Sequence, residues 1–388
     1  MHLKKCLLII ILCFNAIFVD EAKSQQSLSC SIKSIRVKVL LDEQSNHNHK
    51  PWNIISEADI RIIDPDAPEK NINLRTRDLS ITLHKSNLYL NNHPIKTKKI
   101  IISPIKGHLS FKGKLYAGSL LVMVKDNKHY VINLVDWEDY VCSVLKTESW
   151  PGWPLEVNKV FAIACRSYAL AMIMRASKSD LPYHVKNSNA HQTYSGVHNN
   201  QVLKTAVEQT AGVFLSHDDK PIIAMFDCCC GGVIPSRIAD FDFKKAPYLS
   251  RDYPCSFCKQ CKIYKWSKDF AIKDLECIFN DFFLHDLRLR ELKVSKQDKA
   301  GLVEEVFLRC GRKASTISGK KLYSLLPEVK SYCFTIRRRG STYTISGRGY
   351  GHHLGLCQWG ARQMVKDGWD YQSILQFYYP GTRQVVLR

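Results

Sequence analysis

A glutamate beside two tryptophans is the residue of this chain best suited to transfer a proton. Glu148 ends a predicted helix and is followed closely by Trp150 and Trp153. Large aromatic side chains beside a carboxyl group can partly exclude water, which raises its pKa and lets it donate a proton near neutral pH. A surface glutamate in an ordinary turn is the competing interpretation.

A glycine-rich segment near the C-terminus mixes polar and aromatic residues at close spacing. Residues 347–360 read Gly-Arg-Gly-Tyr-Gly-His-His-Leu-Gly-Leu-Cys-Gln-Trp-Gly and hold five of the chain's 19 glycines. Glycine at this density is typical of backbone that takes positive φ or approaches another group closely. The spacing fits neither a P-loop nor the dinucleotide fingerprint, so nucleotide binding is not predicted. A loop without a chemical role remains the alternative.

Several of the fifteen cysteines are closely grouped, which indicates a metal site or disulfides. Residues 228–230 are all cysteine, and Cys255, Cys258 and Cys261 follow at intervals of three. Thiolates at this spacing can bind one zinc ion, and disulfides form in an oxidising compartment. An iron–sulfur cluster also fits the spacing, but it ranks last because it is chemically fragile outside the cytoplasm. The zinc hypothesis takes Cys230, Cys255, Cys258 and Cys261 as ligands, and disulfides near Cys230 stay equally open.

The elements that must position these residues are predicted to be strands first and helices afterwards. Alternating apolar residues predict strands, and apolar residues at helical spacing predict helices. The predicted strands cover 31–41, 58–63, 79–83, 99–105, 118–124, 129–133 and 343–346, and the predicted helices cover 136–146, 155–175, 201–208 and 269–283. Residues 71–98 suggest a loose hairpin or an inserted module, and 298–309 fit neither pattern. Segregated strands and helices predict an α+β fold.

The segment that contains Glu148 and the glycine-rich segment 347–360, taken in this order, resemble the signatures of the stage II sporulation protein D (SpoIID/LytB, amidase enhancer) family. The first family signature combines a glutamate turn, a tryptophan–proline pair and a helix with an arginine–serine/threonine–tyrosine sequence. These correspond here to Glu148, Trp153-Pro154 and Arg166-Ser167-Tyr168. The second signature corresponds to the glycine-rich segment 347–360, and two weaker matches lie between the two signatures, at 191–196 and 229–232. The resemblance covers roughly 114–388.

The chain departs from the family pattern at several positions. His353 stands where the family usually has glycine, Cys357 where it has serine, and His191 where cysteine is common. Ser149-Trp150 replaces methionine–proline after the glutamate. The positions that match the pattern are Glu148, Arg166, Tyr168, Gln192, Tyr194, Cys230, Gly351, His352 and Gln358.

The resemblance implies an exported lytic transglycosylase that cleaves peptide-free glycan strands of peptidoglycan to 1,6-anhydro-muramyl products. It implies that Glu148 is the single catalytic acid and base, and that the chemistry requires no cofactor. The implied substrate-binding residues are Arg166, Tyr168, Gln192, Tyr194, Gly351, His352 and Gln358. Because some members bind zinc through cysteine and histidine, His184 and His191 are further candidate ligands of a structural zinc.

Two other functions remain open at this stage. One is a non-catalytic glycan-binding protein that enhances an N-acetylmuramoyl-L-alanine amidase, which some relatives are described as doing. The other is an envelope protein whose cleft has lost activity, an alternative that His353 and Cys357 keep open.

Charge and the N-terminus predict a partner and a location. The chain has 56 basic and 36 acidic residues, a net charge of +20, which favours polyanionic partners. No nucleic-acid motif is present, so the anionic cell envelope is the expected partner. Lys4-Lys5, the apolar stretch 6–19 and Ala22-Lys23-Ser24 have the anatomy of a secretory signal cleaved before Gln25. The protein is therefore predicted to be exported to the periplasm or envelope, with an uncleaved anchor as the alternative.

The predicted domain organisation has three parts. A signal peptide covers 1–24, an N-terminal β-rich region covers 25–113, and the SpoIID/LytB-like peptidoglycan domain covers 114–388. A basic insertion is expected around 262–339, between the two signatures.

Overall fold

A computed structural model describes residues 35–45, 50–69, 72–84, 87–188, 190–283 and 288–387. The predicted signal sequence and its cleavage site lie outside these described residues. Residues from Ile35 to Leu387 form one compact unit.

Two antiparallel sheets begin the described chain. Their strands are β1 (Arg36–Ser45), β2 (Trp52–Ser56), β3 (Ile60–Ile63), β4 (Ile72–Leu74), β5 (Asp78–His84), β6 (Asn87–Leu90), β7 (His93–Pro94), β8 (Lys99–Pro104), β9 (Leu109–Phe111), β10 (Lys114–Tyr116), β11 (Ser119–Lys125) and β12 (Lys128–Asp136). One sheet has the order β1-β12-β11-β8-β3-β4 and the other β10-β9-β2-β5-β6-β7. In β2 the buried residues alternate with exposed ones, so its apolar face joins the core.

The predicted boundary at 113/114 falls inside this pair of sheets. It lies in the turn between β9 and β10, which pair with each other. Strand β11, beyond the boundary, pairs with β8 before it. The segment 71–98, expected as a loose hairpin or module, supplies strands to both sheets. The β-rich region and the domain that follows therefore share sheets and one hydrophobic core.

Helices follow the sheets and carry the first signature. The elements are α1 (Trp137–Glu148), α2 (Leu155–Ala176), β13 (Val185–Lys186), α3 (Gln201–Gln209), β14 (Val213–His217), β15 (Lys220–Pro221) and β16 (Phe226–Asp227). Strand β13 extends the first sheet by pairing in parallel with β1. Helix α2 is long and apolar enough to cross a membrane by composition alone, but 72% of its most apolar window is buried inside the protein. It is the helix around which the core is built.

The predicted insertion is a folded layer with its own core. Its elements are β17 (Lys265–Ala271), α4 (Ile272–Phe283), β18 (Leu289–Gln297), β19 (Val303–Cys310), β20 (Lys313–Ser318), α5 (Gly319–Leu325), β21 (Phe334–Arg339) and β22 (Thr342–Arg348). They form two three-stranded sheets, β17-β22-β21 and β18-β19-β20. Leu275, Phe279, Val306 and Ile345 are buried in the core between these elements. Residues 298–309, unassigned from sequence, contribute β19.

The chain ends beside α2. After the glycine-rich segment come β23 (Leu356–Cys357), α6 (Gln358–Lys366), α7 (Tyr371–Tyr378) and β24 (Arg383–Val386). Strand β23 pairs in parallel with β16, and β24 pairs with β14. These pairings bring the C-terminal signature close to the signature that contains Glu148. The mixture of sheets and helices confirms the predicted α+β class.

Candidate active site

The turn after α1 fixes the position of Glu148, the last residue of that helix. The next residue, Ser149, caps the helix through its N–H to Leu145 O at 2.8 Å. The Ser149 hydroxyl also donates to Asn158 Oδ1 in α2. The Asn158 amide group donates in turn to Trp153 O at 3.2 Å and to Pro154 O at 3.1 Å. Asn158 therefore ties the whole turn between the helices to α2.

Glu148 has the electrostatic surroundings of a proton donor. Its side chain is half-buried, and its Oε1 accepts a hydrogen bond from Thr193 N at 3.2 Å. Burial raises the pKa of Glu148, and the hydrogen bond from Thr193 N–H offsets part of that increase. Glu148 makes no salt bridge within the part of the chain that the structure describes. The carboxyl group is therefore held by one neutral donor, with no basic partner keeping it ionised.

The segment 192–195 runs along α1 and presents its backbone to Glu148. Tyr140 OH donates to Gln192 Oε1 at 2.9 Å, and Thr147 Oγ1 donates to Thr193 O at 2.6 Å. Both acceptors lie within two residues of the N–H that reaches Glu148. The predicted site residue Gln192 is buried, and it therefore helps to set the position of this segment.

The C-terminal signature reaches the same glutamate from the other side. Gln358 Nε2 donates to Glu148 O at 2.9 Å, and Gln358 is buried at the start of α6. This contact spans 210 positions of sequence. The structure thus brings Gln358 into contact with Glu148 and places Gln192 next to Thr193, whose backbone N–H donates to Glu148.

Three tryptophans form a cluster next to this turn. Trp150 stacks on Trp153 with ring centroids 6.2 Å apart, and Trp359 packs edge-on against both at 5.7 and 5.5 Å. Trp153 is buried and also packs against Phe161, whereas Trp150 is 36% exposed. Lys262 Nζ lies 6.0 Å from the centre of the Trp150 ring. Trp153 is thus a core residue, and Trp150 offers an aromatic face to solvent.

Arg166 is a structural residue, and the expectation that it binds substrate is wrong. Its side chain has no exposed surface and forms a forked ion pair with Glu138, Nε to Oε1 at 3.0 Å and Nη2 to Oε2 at 2.6 Å. Its Nη1 donates to Val213 O at 3.0 Å. Each of its three guanidinium nitrogens donates to an acceptor within the fold. A buried guanidinium needs such acceptors and a charged partner, because burial removes it from water. Glu138, in the first turn of α1, supplies that partner.

Tyr194 is likewise part of the core, contrary to its predicted role in the cleft. It is 1% exposed, stacks between Tyr116 and Tyr140, and donates its hydroxyl to Asn133 Oδ1 at 2.6 Å. Tyr168 is half-buried, and its hydroxyl contacts His191 Nδ1 at 3.1 Å. Burial raises the pKa of Tyr168 to about 12, so its hydroxyl stays protonated near neutral pH.

The glycine-rich segment approaches protein atoms closely. Gly351 has φ +133°, and a Cβ there would lie 2.2 Å from the Asp227 Cβ. His352 accepts a hydrogen bond from Leu354 N through Nδ1 at 3.1 Å, and burial lowers its pKa to about 4. His352 also lines a cavity of about 490 Å³ against the insertion, whose lining includes Asp298 and Lys320 but not Glu148. The structure therefore does not bring Gly351 or His352 to the glutamate in the way it brings Gln358.

Three of the four predicted metal ligands lie together. The Sγ atoms of Cys230, Cys255, Cys258 and Cys357 all lie within 4.8 Å of one another, and all four residues are buried. Cys261 lies instead beside Cys229, with 3.7 Å between the sulfurs. Neither histidine considered as a ligand belongs to this group. His184 Nδ1 accepts from Lys38 N at 3.1 Å, and His191 contacts Tyr168.

Sequence patterns missed three residues of this site. Thr193 acts through its backbone N–H, which no side-chain pattern can reveal. Cys357 was visible in the sequence only as a departure from the family's serine, because it lies about a hundred positions from Cys255 and Cys258. The third residue is Cys228. Burial is the main cause that raises the pKa of its thiol to about 12, and electrostatic repulsion from Asp227 and Glu148 adds to the increase.

Comparison with known proteins places these residues in a family. Residues 125–217 match the model of the stage II sporulation protein (SpoIID) family, and they contain Glu148, Gln192 and Thr193. An uncharacterized protein of Brachyspira hyodysenteriae is 30% identical over 73% of this chain and 76% of its own length. The chain belongs to the SpoIID family.

Two further relatives are proteins of Bacillus subtilis. Its stage II sporulation protein D is 25% identical over 69% of this chain and 80% of its own length. Its amidase enhancer is 27% identical over 62% of this chain but only 39% of its own length. The predicted family resemblance is therefore confirmed. The relatives' names are compatible both with a lytic transglycosylase and with an amidase enhancer.

Proposed function

We propose that this SpoIID-family chain is an exported lytic transglycosylase that cleaves peptidoglycan glycan strands, with Glu148 as its acid and base. One observation carries the proposal. Glu148 is a half-buried carboxyl group with a raised pKa, held by the Thr193 N–H and by the Gln358 contact to its backbone. Its location at the meeting point of both signatures is what a catalytic residue of this family requires.

The reaction needs one group that gives and then takes a proton. Protonated Glu148 donates to the glycosidic oxygen as the bond from that oxygen to the anomeric carbon breaks. The ionised carboxylate then accepts the proton of the muramic acid 6-hydroxyl, whose oxygen bonds to the anomeric carbon and closes the 1,6-anhydro ring. Glu148 ends protonated, as it began, and no water is consumed. Glycosidases that use water usually need a second carboxylate, which this route does not.

The surroundings of Glu148 suit both halves of this cycle. Partial burial favours the neutral acid that must start the reaction. The Thr193 N–H favours the carboxylate that must follow, because a hydrogen bond to the charged form stabilises it. These opposing effects favour, in turn, the two protonation states of a group that must give and then take one proton.

Trp150 supports glycan binding beside the acid. Its exposed ring lies two residues from Glu148, and aromatic faces stack on sugar rings. Lys262 lies over the same ring and supplies positive charge for the carboxylates of a glycan strand. The net charge of +20 favours the same polyanionic partner over longer distances.

Amidase enhancement is the second candidate function, because one relative carries the name amidase enhancer. In that function the chain binds glycan and stimulates a separate cell-wall amidase. The proton chemistry of Glu148 is then not needed, so substitution of Glu148 separates the two candidates.

The experiment incubates peptide-free and peptide-bearing glycan strands with wild-type protein, Glu148→Gln and the matched surface variant Glu208→Gln. Mass spectrometry then counts 1,6-anhydro-muramyl ends. The proposal expects new ends from peptide-free strands with wild type and Glu208→Gln, and their loss with Glu148→Gln while binding persists. If no protein makes new ends but all three stimulate an added amidase equally, the enhancer function replaces the transglycosylase.

A further inference from the structure

Four buried sulfurs lie at the spacing of a single metal ion. The Sγ atoms of Cys230, Cys255, Cys258 and Cys357 lie within 4.8 Å of one another, and those of Cys230 and Cys258 are 3.7 Å apart. A tetrahedral zinc ion with bonds of about 2.3 Å places its sulfurs about 3.8 Å apart. An iron–sulfur cluster inserts several atoms between its thiolates and needs a wider arrangement. The observed group has the size for one ion.

The backbone around these sulfurs is arranged to support thiolates. Cys357 Sγ accepts from the backbone N–H groups of Cys230 and Gly360, each at 3.3 Å. Cys357 is also the N-cap of the nine-residue helix α6, where the helix dipole stabilises negative charge. Tyr378 OH lies 3.1 Å from Cys255 Sγ and can donate to it. Such outer hydrogen bonds orient metal ligands.

A buried cation beside the group has no anionic partner among the residues that the structure describes. Arg251 is 2% exposed, and its Nη1 donates to Tyr253 O at 3.1 Å. Its Nε and Nη2 are buried without an oxygen acceptor in the described part of the chain, and Arg251 makes no salt bridge there. It lies close enough to Cys230 and Cys255 to interact electrostatically with both sulfurs. Four thiolates around a divalent ion carry two net negative charges, which would balance a cation that is otherwise costly to bury.

We propose that Cys230, Cys255, Cys258 and Cys357 bind one zinc ion as thiolates, releasing their S–H protons to solvent. The ligands come from three separate segments: the loop after β16, the loop before β17, and β23. The ion holds these segments together from inside the core.

The ion would also fix the candidate active site, although its binding does not depend on the proposed catalysis. Cys357 directly precedes Gln358, whose side chain donates to Glu148 O. Gly360 supports the same arrangement, because a Cβ there would lie 2.8 Å from Cys255 Sγ. Removing the ion is expected to loosen the first turn of α6 and with it the contact to Glu148.

The ligand set differs from the one that cysteine spacing alone selects. Spacing selects Cys261, but its sulfur lies beside Cys229 and is outside the group of four. Cys261 is only half-buried, whereas Cys357 is fully buried. Cys261 and Cys357 are therefore matched variants that distinguish the two ligand sets.

The test measures zinc in the full chain, purified under reducing conditions with zinc chloride and separated from free metal by gel filtration. Elemental mass spectrometry is expected to find one zinc per chain in wild type, in Cys261→Ser and in the exposed control Cys277→Ser. Cys357→Ser is expected to lose most of the zinc. The reverse result, zinc kept in Cys357→Ser and lost in Cys261→Ser, would overturn the ligand set.

A second measurement uses only the wild-type protein, so it tests the proposal even where a cysteine variant fails to fold. Cobalt(II) replaces zinc in the full chain, and the visible and near-ultraviolet spectrum reports its ligands. Strong tetrahedral bands with sulfur-to-cobalt charge transfer are expected. Weak octahedral bands, or a metal-free chain whose four cysteines resist alkylation until a reductant is added, would overturn the proposal in favour of disulfides. Neither readout uses glycan cleavage, so failure of the proposed function would leave this result intact.

Discussion

Removal of the charge on Glu138 is expected to destabilise the protein without touching glycan binding. Glu138 accepts four hydrogen bonds: three from the Arg166 guanidinium and one from Gly212 N at 3.0 Å. The Arg166 side chain has no exposed surface, and the Glu138 side chain is 20% exposed. In Glu138→Gln the shape is kept, but the buried guanidinium loses its counter-charge.

The magnitude follows from the burial of the pair. Removing one partner of a buried ion pair costs about 3–5 kcal/mol, and the partial exposure of Glu138 favours the lower end, about 3 kcal/mol. The folded unit runs from Ile35 to Leu387. At roughly 2.1 cal/mol/K per residue, its unfolding entropy is on the order of 0.7 kcal/mol/K. The expected decrease in Tm is therefore about 4 °C.

Thermal unfolding and glycan binding, measured on the same preparations, test this reasoning. Glu208→Gln on α3 is the matched control, because Glu208 is exposed and its change should cost less than about 0.5 kcal/mol. Glu138→Gln should melt earlier than the control yet bind glycan normally at lower temperature. Equal melting of the two variants would refute the structural role of the pair. So would Arg166→Lys weakening glycan binding at an unchanged Tm.

Three further outcomes are expected. Glu148→Gln should unfold at a higher urea concentration than wild type at pH 7 but not at pH 4. Burial raises the folded-state pKa of Glu148, so the wild-type protein loses stability as the pH rises through that pKa and the carboxyl group ionises. The glutamine variant has no charge to bury and avoids this loss. Trp150→Ala should weaken glycan binding in a pull-down with little change in Tm, whereas Trp153→Ala should cost about 3–5 kcal/mol in denaturant unfolding. Tyr194→Phe should cost about 1–3 kcal/mol in the same assay, because it leaves Asn133 Oδ1 without its donor, and glycan binding should persist.

Much of the fold was predictable because its patterns are local. Alternation and helical spacing located α1, α2 and six of the twelve described strands before β13, since each pattern reflects one buried face. The strands β4, β6, β7 and β19 were harder to predict. They are short or rich in polar residues, so their pairing partners, and not their own patterns, decide their structure.

The candidate site was predictable in its membership but not in the roles of its residues. Family motifs selected Glu148, Gln192 and Gln358, which the structure brings together. The same motifs also selected Arg166 and Tyr194, which are buried in the core. A signature records which residues accompany a function, whether they contact substrate or hold the fold, and only burial and hydrogen-bond partners separate the two.

Contacts between side chains that are distant in the sequence could not be predicted from the sequence. Cys357 lies about a hundred positions from the cysteines at 255 and 258, so spacing favoured the nearer Cys261. Parallel pairing of β23 with β16 is what carries Cys357 to Cys230. The contact of Thr193 N with Glu148 has the same character, because it depends on how a loop lies against a helix.

The most direct test of the central claim is the product formed from peptide-free glycan strands. Mass spectrometry of the reducing ends distinguishes 1,6-anhydro-muramyl products from hydrolysed ones, since the anhydro form is lighter by one water molecule. We expect anhydro ends with wild type and none with a folded, glycan-binding Glu148→Gln variant. Hydrolysed ends, or anhydro ends that persist in that variant, would contradict the assignment of Glu148 as the acid and base.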